Sequence, residues 1–201
     1  MKDKILATAT SMFLDLGFKS VTMDDISNAL GISKKTVYTH FKNKNKLVEA
    51  TTLNIFNNIL QGISAIENKK QNSIEELFEI KELMMNNSST KNHSSICQLQ
   101  KFFPEIHCKM KKKHQEAMTK CVTQNIERGI LEGYYRKNLN IDFVVKIHFA
   151  GIEGVKEMAN HINELENKSN LATEYLEYHT RAIATEKGIK TLNQILNNTK
   201  K

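Results

Sequence analysis

The residues whose types best indicate chemistry lie between positions 34 and 40, where cationic and hydroxyl side chains follow one another without an acid. They are Lys34, Lys35, Thr36, Tyr38, Thr39 and His40. On a helix that buries Val37 and Phe41, these side chains would surround the remaining surface as hydrogen-bond donors. A lysine can donate to guanine acceptors, and a threonine methyl group can meet a thymine methyl group. The segment therefore suits the major groove of DNA.

The residues before this segment predict the helix-turn-helix that would position it. Thr22 is a good N-cap, and Asp25 three residues later gives the helix a start like a capping box. Three apolar residues then repeat at helical spacing, namely Ile26, Ala29 and Leu30. Gly31 can adopt the positive φ that ends this helix, and Ser33 can cap the next one, which is predicted over 34–41.

Sixteen positions of different chemistry fall into one register in the first 50 residues. They are Gly17-Phe18, Val21-Thr22, Asp25-Ile26, Gly31-Ile32-Ser33, Thr36-Val37-Tyr38, His40-Phe41, Lys44 and Leu47. This pattern resembles the signature of the TetR family of transcriptional regulators. Beyond residue 60 the resemblance is architectural, apart from Gly129-x-x-x-Gly133 running into Tyr135-Arg136-Lys137. The resemblance implies an N-terminal DNA-binding domain and a helical remainder that dimerises and senses a ligand. It also places Thr22, Tyr38, His40 and Lys44 on the phosphate backbone, where contacts position a protein without reading the sequence.

Charge and composition agree with a nucleic-acid partner. The net charge is +7 at pH 7, and residues 1–50 hold eight lysines against five acids. No arginine occurs among those 50 residues. The bidentate contact between arginine and guanine is therefore missing, and base discrimination would rest more on threonine contacts and DNA shape.

The spacing of apolar residues, with one proline and eight glycines in 201 residues, predicts an all-α chain. A three-helix helix-turn-helix domain is predicted over 1–46, and a helical dimerisation and ligand-sensing domain over 47–201. The predicted helices outside the helix-turn-helix cover 2–16, a long stretch from near 45, 73–85, 96–103, 104–128, 141–162 and 173–196. Residues 86–92 predict a polar loop. Gly151 and Gly154 would each cost a helix about 1 kcal/mol, which makes sense if another helix packs closely there.

Histidine and cysteine residues elsewhere do not predict a metal site. His107, His114 and Cys121 are spaced by seven, which is roughly 10 Å along a helix axis. Ligands so far apart cannot share a zinc ion held at about 2 Å from each. Three cysteines at irregular spacing suggest no disulfide framework and favour a reducing, cytoplasmic setting. No apolar stretch is long enough to span a membrane, and no catalytic pattern is present, so we expect neither an enzyme nor a cofactor.

The predicted function is a homodimeric repressor that binds double-stranded DNA at a palindromic operator. One helix-turn-helix offers few contacts, and pairing two half-sites about one DNA turn apart overcomes this. The resemblance implies dimerisation through the last two helices and release by a small effector, for which an apolar or aromatic molecule is favoured. Candidate pocket residues, which are equally good candidates for core, are Phe78, Met84, Phe102, Phe103, Met110 and Met118. The alternative is a DNA-binding protein of this fold that answers to a protein partner or organises the chromosome, without a small-molecule ligand.

Overall fold

A computed structural model describes residues 1–87, 90–160 and 165–199 of the chain. Within these ranges the protein is made of ten helices with no named strand, so the predicted all-α fold class is confirmed. The helices are α1 (Lys2–Leu16), α2 (Met23–Leu30), α3 (Lys34–His40), α4 (Lys44–Glu67), α5 (Ser73–Asn86), α6 (Thr90–Phe102), α7 (Pro104–Leu131), α8 (Ile141–Asn160), α9 (Leu165–Ile183) and α10 (Glu186–Thr199). None of the described helices is long and apolar enough to cross a membrane.

The chain divides into two compact units. The first contains Met1–Gly62 and Asn86–Glu116, and the second contains Ile63–Met85 and Ala117–Lys201. The first unit therefore includes α6 and the start of α7 as well as the helix-turn-helix. The predicted functional boundary between residues 46 and 47 stays a prediction, but the packing of the chain does not follow it.

The core of the first unit explains why three short N-terminal helices can hold together. Phe13 of α1 stacks on Phe18 with ring centroids 5.0 Å apart, and both side chains are buried. Ile26 of α2 and Val37 of α3 are fully buried in the same cluster. Burying side chains of this size contributes about 1.5–3 kcal/mol each. The apolar face of α1 thus supplies the core that α2 and α3 could not build alone.

The second unit has its own core, centred on Tyr135, which is 1% exposed. The hydroxyl of Tyr135 donates a 3.4 Å hydrogen bond to the carbonyl of Ser73 and a 3.3 Å hydrogen bond to Oδ1 of Asn125. Burial raises the pKa of this phenol. A Cβ atom at Gly129 would overlap the Tyr135 ring, so this glycine permits the close approach.

The predicted helix over 173–196 is wrong, because two helices occupy that range. Helix α9 ends at Ile183, and Thr185 starts α10 by accepting a 3.2 Å hydrogen bond from the Gly188 amide at its Oγ1. The helix is interrupted at this point because the Thr185 amide donates a 2.9 Å hydrogen bond to the Tyr134 carbonyl. The break thus depends on a residue 51 positions earlier in the chain.

The predicted loop over 86–92 was also too long. Helix α6 begins at Thr90, so the prediction of a short helix from residue 96 started six residues too late, while Ser88 and Ser89 lie outside the described residues. Helix α8 ends at Asn160, and the last two residues of the predicted helix over 141–162 lie outside the described ranges as well.

The two glycines of α8 differ in their surroundings. The close packing predicted at Gly151 is confirmed, because a Cβ atom there would overlap the ring of Tyr175 on α9. The Tyr175 hydroxyl fixes that ring by donating to the carbonyl of His148 at 2.9 Å. At Gly154, by contrast, a Cβ atom would meet nothing within 4 Å in the described part of the chain.

Candidate DNA-binding surface

The start of α2 is fixed by a capping box. Oγ1 of Thr22 accepts a 3.1 Å hydrogen bond from the Asp25 amide, and Oδ2 of Asp25 accepts a 2.8 Å hydrogen bond from the Thr22 amide. The Thr22 hydroxyl also donates to Oδ2 of Asp25 at 2.8 Å. These bonds from Thr22 lower the pKa of the Asp25 carboxyl. The predicted cap is therefore present. It uses the Thr22 hydroxyl, the group that the resemblance predicts to contact a DNA phosphate.

The turn between α2 and α3 follows the sequence prediction. Gly31 ends α2 in the left-handed conformation with φ 62°, which glycine adopts without strain. Ser33 then caps α3 by accepting a 3.1 Å hydrogen bond from the Thr36 amide at its Oγ. The same oxygen lies 2.9 Å from Oγ1 of Thr36. Val37 and Phe41 anchor the buried side of this helix, as predicted.

The opposite side of α3 carries the predicted donors. Lys35 and Tyr38 are exposed, and no described acid pairs with the Lys35 ammonium. Lys34 is held by Asp24 of α2, with Nζ 2.7 Å from Oδ1, and this partner raises the pKa of the Lys34 ammonium. Thr39 donates its hydroxyl to the Lys35 carbonyl at 2.9 Å, which leaves its methyl group for an apolar contact. Lys35 and Tyr38 are thus the donors with the greatest freedom to meet a ligand.

Lys44, at the start of α4, is partly buried and structurally engaged. Its Nζ donates a 2.8 Å hydrogen bond to the Lys19 carbonyl and lies 5.8 Å from the centroid of the Phe103 ring. Burial lowers the pKa of this ammonium, and the nearby Asp25 carboxylate partly offsets that effect. One bond to Lys19 leaves two N–H groups of Lys44 available to an anion.

All eight predicted contact residues lie in the first unit, on the start of α2, on α3 and on the start of α4. They are Thr22, Lys34, Lys35, Thr36, Tyr38, Thr39, His40 and Lys44. Three of them are threonines whose hydroxyl groups already form hydrogen bonds within the protein. Their methyl groups are therefore better placed than their hydroxyl groups to contact DNA, for example at a thymine methyl group. His40 is half-buried at the end of α3. The role of each residue on DNA stays a prediction.

Helix α6 packs against the N-terminal helices within the first unit, which no spacing pattern in the sequence indicates. Leu99 is buried in the N-terminal core, and Ser95 donates its hydroxyl to the Leu14 carbonyl at 2.9 Å. Gln98 accepts a 3.1 Å hydrogen bond from the Lys19 amide, and its side chain fills the space beside Gly17. These contacts join residues 79 and 81 positions apart, so no local signal could have revealed them.

The ion pairs of Glu49 should make the stability of the first unit depend on pH. Lys109 at 2.5 Å and Lys46 at 2.9 Å lower the pKa of Glu49 from 4.5 to about 2. Because the folded pKa is the lower one, the stabilisation is complete above about pH 4.5 and is lost as the pH falls towards 2. We expect about 1 kcal/mol, since pairs near the surface are screened by solvent.

This pH dependence can be measured by thermal unfolding of the wild type and of Glu49→Gln between about pH 6 and pH 2.5. The difference in melting temperature should shrink as the pH falls. Glu75→Gln, which changes an exposed acid on α5, is the control and should show a smaller difference at the upper pH. An equal difference for Glu49→Gln at both ends of the range would show that the ion pairs do not stabilise the fold.

A cleft of about 380 Å³ opens in the second unit, and six of its seven lining residues carry polar or charged groups. The lining residues are Glu67, Glu76, Gln124, Asn125, Glu127, Arg128 and Leu131. None of the six predicted pocket residues is among them. Phe78 and Met118 are buried, and Phe103 packs against the core of the first unit. This cleft is therefore lined by charged and amide-bearing side chains and not by the aromatic and methionine side chains predicted for an effector pocket.

The cysteines and histidines in the described part of the chain show no metal-binding arrangement. In the described residues, no group of three or more histidine, cysteine or acidic side chains is placed to hold a metal ion. Cys97 and Cys108 are exposed, and Cys121 is buried. Burial raises the pKa of the Cys121 thiol to about 12, so it stays protonated at neutral pH.

Comparison with known proteins supports the class of protein that this geometry indicates. Residues 5–51 match the family model described as bacterial regulatory proteins, tetR family. The biofilm operon icaADBC HTH-type negative transcriptional regulator IcaR of Staphylococcus aureus (strain Newman) is 33% identical over 79 residues, which are 39% of this chain and 42% of that protein. The match thus spans about two fifths of the length of this curated relative.

Solved structures extend the likeness from the N-terminal domain to the whole fold. A transcriptional regulator from Cytophaga hutchinsonii ATCC 33406 has a TM-score of 0.73 at 18% identity, covering 90% of this chain and 97% of that chain. The SmeT–triclosan complex has a TM-score of 0.69 at 15% identity, covering 92% of each chain. The chain carries the DNA-binding domain of the TetR family of bacterial regulatory proteins, and its fold is that of TetR-family regulators. The resemblance predicted from the sequence is thereby confirmed.

Proposed function

We propose that the protein is a transcriptional repressor of the TetR family that binds a palindromic DNA operator as a homodimer. The observation that carries the proposal is the capped pair α2 and α3, in which Lys35 and Tyr38 are exposed while Val37 is buried. A helix presented in this way fits the major groove. Lys34, Lys35, Thr36 and Thr39 would meet base edges, and the remaining predicted residues would contact phosphates.

The proposed role has consequences beyond the DNA contact. IcaR is described as a negative transcriptional regulator, and we carry repression over to this chain as part of the proposal. A repressor of this kind acts in the cytoplasm and performs no enzymatic reaction. The three irregularly spaced cysteines agree with the first statement, and the second agrees with a sequence in which no catalytic pattern is present.

The dimer is supported by an apolar stripe on α8. Five small or apolar residues recur at helical spacing and share one exposed or open side of the helix: Phe143, Ile147, Ala150, Gly154 and Met158. An exposed stripe of this kind indicates an interaction site. A two-fold axis would bring the same stripe of a second copy against it. Helix α8, together with α9 and α10 in place of the single last helix predicted, would form this interface.

The dimer is tested by placing a charge on the stripe. Ile147 is 45% exposed in the single chain, so Ile147→Glu should leave the fold unchanged. In a dimer it would bury a carboxylate twice, and we expect the dimer dissociation constant to rise at least about 100-fold. Leu131→Glu is the matched control, because Leu131 is 87% exposed and lies outside the stripe. Sedimentation equilibrium that finds the same mass for Ile147→Glu, Leu131→Glu and the wild type would exclude this interface.

The DNA-binding proposal is tested by footprinting the purified protein on the DNA that flanks its own gene, at two salt concentrations. We expect a protected site with two-fold symmetry and an affinity that falls steeply with salt, because lysine contacts release counterions from the phosphates. Protection without two-fold symmetry would contradict the dimeric operator. If neither flanking nor random duplex DNA is bound at low salt, the proposed function fails.

The signal that releases the repressor is a separate part of the proposal. SmeT, one of the structural neighbours, forms a complex with triclosan, and we propose that this chain also answers to a small molecule. Effector binding would favour a dimer whose α3 helices no longer match the spacing of the half-sites. A panel of apolar and aromatic compounds should contain one that raises the melting temperature, since saturation at 100 times Kd adds about 2.7 kcal/mol.

A second candidate function is a DNA-binding protein that answers to a protein partner. The observation that favours it is the packing of the second unit, where Phe78 and Met118 are buried and the cleft is lined mainly by charged and amide-bearing side chains. Under this alternative, no compound in the panel would shift the melting temperature or weaken DNA binding. A compound that does both would favour the small-molecule effector and exclude the alternative.

A further inference from the structure

A cluster of three lysines and two phenylalanines lies beside the predicted DNA contacts of the first unit. We call it the Lys19 patch, and it consists of Lys19, Lys44, Lys101, Phe102 and Phe103. The Nζ atoms of Lys19 and Lys101 lie 4.7 and 5.6 Å from the centroid of the same Phe102 ring, which is within cation–π range. The patch is continuous with Lys44, whose Nζ bonds to the Lys19 carbonyl and lies over Phe103.

The patch is held in place by contacts between α6 and the N-terminal helices. Gln98 bonds to the Lys19 amide, and Leu99 is buried in the core that contains Phe13. Phe102 follows three residues later and is 38% exposed, so its ring is accessible to the side chains of Lys19 and Lys101. The backbone that carries Lys19 and the backbone that carries Lys101 are therefore both fixed, and only their side chains need to order on binding.

The charge of the patch is unbalanced. Lys19 and Lys101 are exposed, and neither forms an ion pair with an acid in the described part of the chain. Because both ammonium groups lie over the same ring, they are no more than about 10 Å apart, which is close to the screening length, and they repel each other weakly. A bound polyanion would convert this repulsion into attraction, whereas a neutral or cationic partner would not.

We propose that Lys19 and Lys101, positioned on the ring of Phe102, bind the DNA phosphate backbone next to Lys44 and extend the DNA interface from the helix-turn-helix to α6. This inference rests on the proposed DNA binding and adds two residues to the eight contacts predicted from the sequence. It assigns these lysines to phosphates and not to bases. They would strengthen binding without selecting the operator sequence.

The test is a salt titration of DNA binding with the full-length chain and its variants Lys19→Gln and Lys101→Gln. Each variant should lower the magnitude of the slope of log K against log salt by about 1.8, because each lost phosphate contact contributes about 0.9 and the dimer loses the contact in both half-sites. Affinity at low salt should fall several-fold, and the protected sequence should stay the same. In ethylation interference, the variants should no longer be sensitive to modification of the phosphates that flank the region contacted by α3. Lys112→Gln, an exposed lysine of α7 outside the patch, is the control and should leave the slope unchanged.

The outcomes separate this inference from the proposed function. Wild-type binding with unchanged slopes in both variants would overturn the Lys19 patch and leave the repressor proposal standing. A variant that no longer prefers the operator but shows the wild-type slope of log K against log salt would also overturn the inference. The residue would then affect binding through the structure of the protein and not through a phosphate contact. If the wild type binds no DNA at any salt concentration, both proposals fail together. Circular dichroism of each variant verifies that the helices are retained.

Discussion

Replacing Lys35 and Tyr38 together with alanine is expected to weaken operator binding at least about 100-fold while leaving the fold intact. Both side chains are exposed on α3, and no described protein group accepts a hydrogen bond from either. Each lost contact with a base or phosphate costs about 1–3 kcal/mol, and a dimer loses every contact twice. Stability should change little, because surface substitutions away from such contacts usually stay within about 0.5 kcal/mol.

Fluorescence anisotropy with an operator duplex and a scrambled duplex measures this loss. The double variant should bind both duplexes more weakly and should prefer the operator less than the wild type does, because Lys35 is placed at base edges and Tyr38 on a phosphate. Lys120→Ala, which removes an exposed lysine from α7, should bind the operator as the wild type does. If the double variant keeps wild-type affinity and specificity, α3 does not read the DNA, and the functional assignment would have to move to another surface.

The part of the site that could be predicted is the part built from neighbours in sequence. Thr22 caps α2 through Asp25, Ser33 caps α3 through Thr36, and Gly31 separates the two helices. Each of these features involves residues no more than three positions apart, so the sequence contains all that determines them. The same locality explains why the bounds of α1 were predicted without error.

The features that could not be predicted depend on contacts between distant segments. Gln98 reaches Lys19 across 79 positions, and this contact brings Phe102 beside the Lys19 side chain. Thr185 ends one helix and begins another because it bonds to the Tyr134 carbonyl. Neither pairing leaves a periodic trace in the sequence. An effector pocket could not be told from core for the same reason, because the spacing around Phe78 is alike in a core and in a cavity wall.

The largest effect on stability is expected from Arg128→Ala, which would leave the carboxylate of Glu76 buried without its cation. Glu76 is 2% exposed, and its Oε2 lies 2.8 Å from Nη2 of Arg128. Its Oε1 accepts a 2.8 Å hydrogen bond from Nδ2 of Asn125. Breaking a buried ion pair on one side typically costs about 3–5 kcal/mol. We expect about 3 kcal/mol, the lower end of that range, because the Arg128 side chain is 35% exposed and water can partly replace it.

Urea unfolding of four chains can separate this cost from the value of the pair itself. They are the wild type, Arg128→Ala, Glu76→Gln and the double variant. Glutamine keeps an acceptor for Asn125 and removes the buried charge. The double variant should therefore be more stable than Arg128→Ala and recover much of the free energy of unfolding that Arg128→Ala loses.

The control is Arg181→Ala, which breaks a more exposed pair with Glu177 and should lower the free energy of unfolding by no more than about 1 kcal/mol. If Arg128→Ala lowers the free energy of unfolding no more than Arg181→Ala does, water reaches the Glu76 carboxylate through the cleft. If it costs about 3 kcal/mol and the double variant recovers stability, Glu76 and Arg128 stabilise the packing of α5 on α7 and do not form a ligand site.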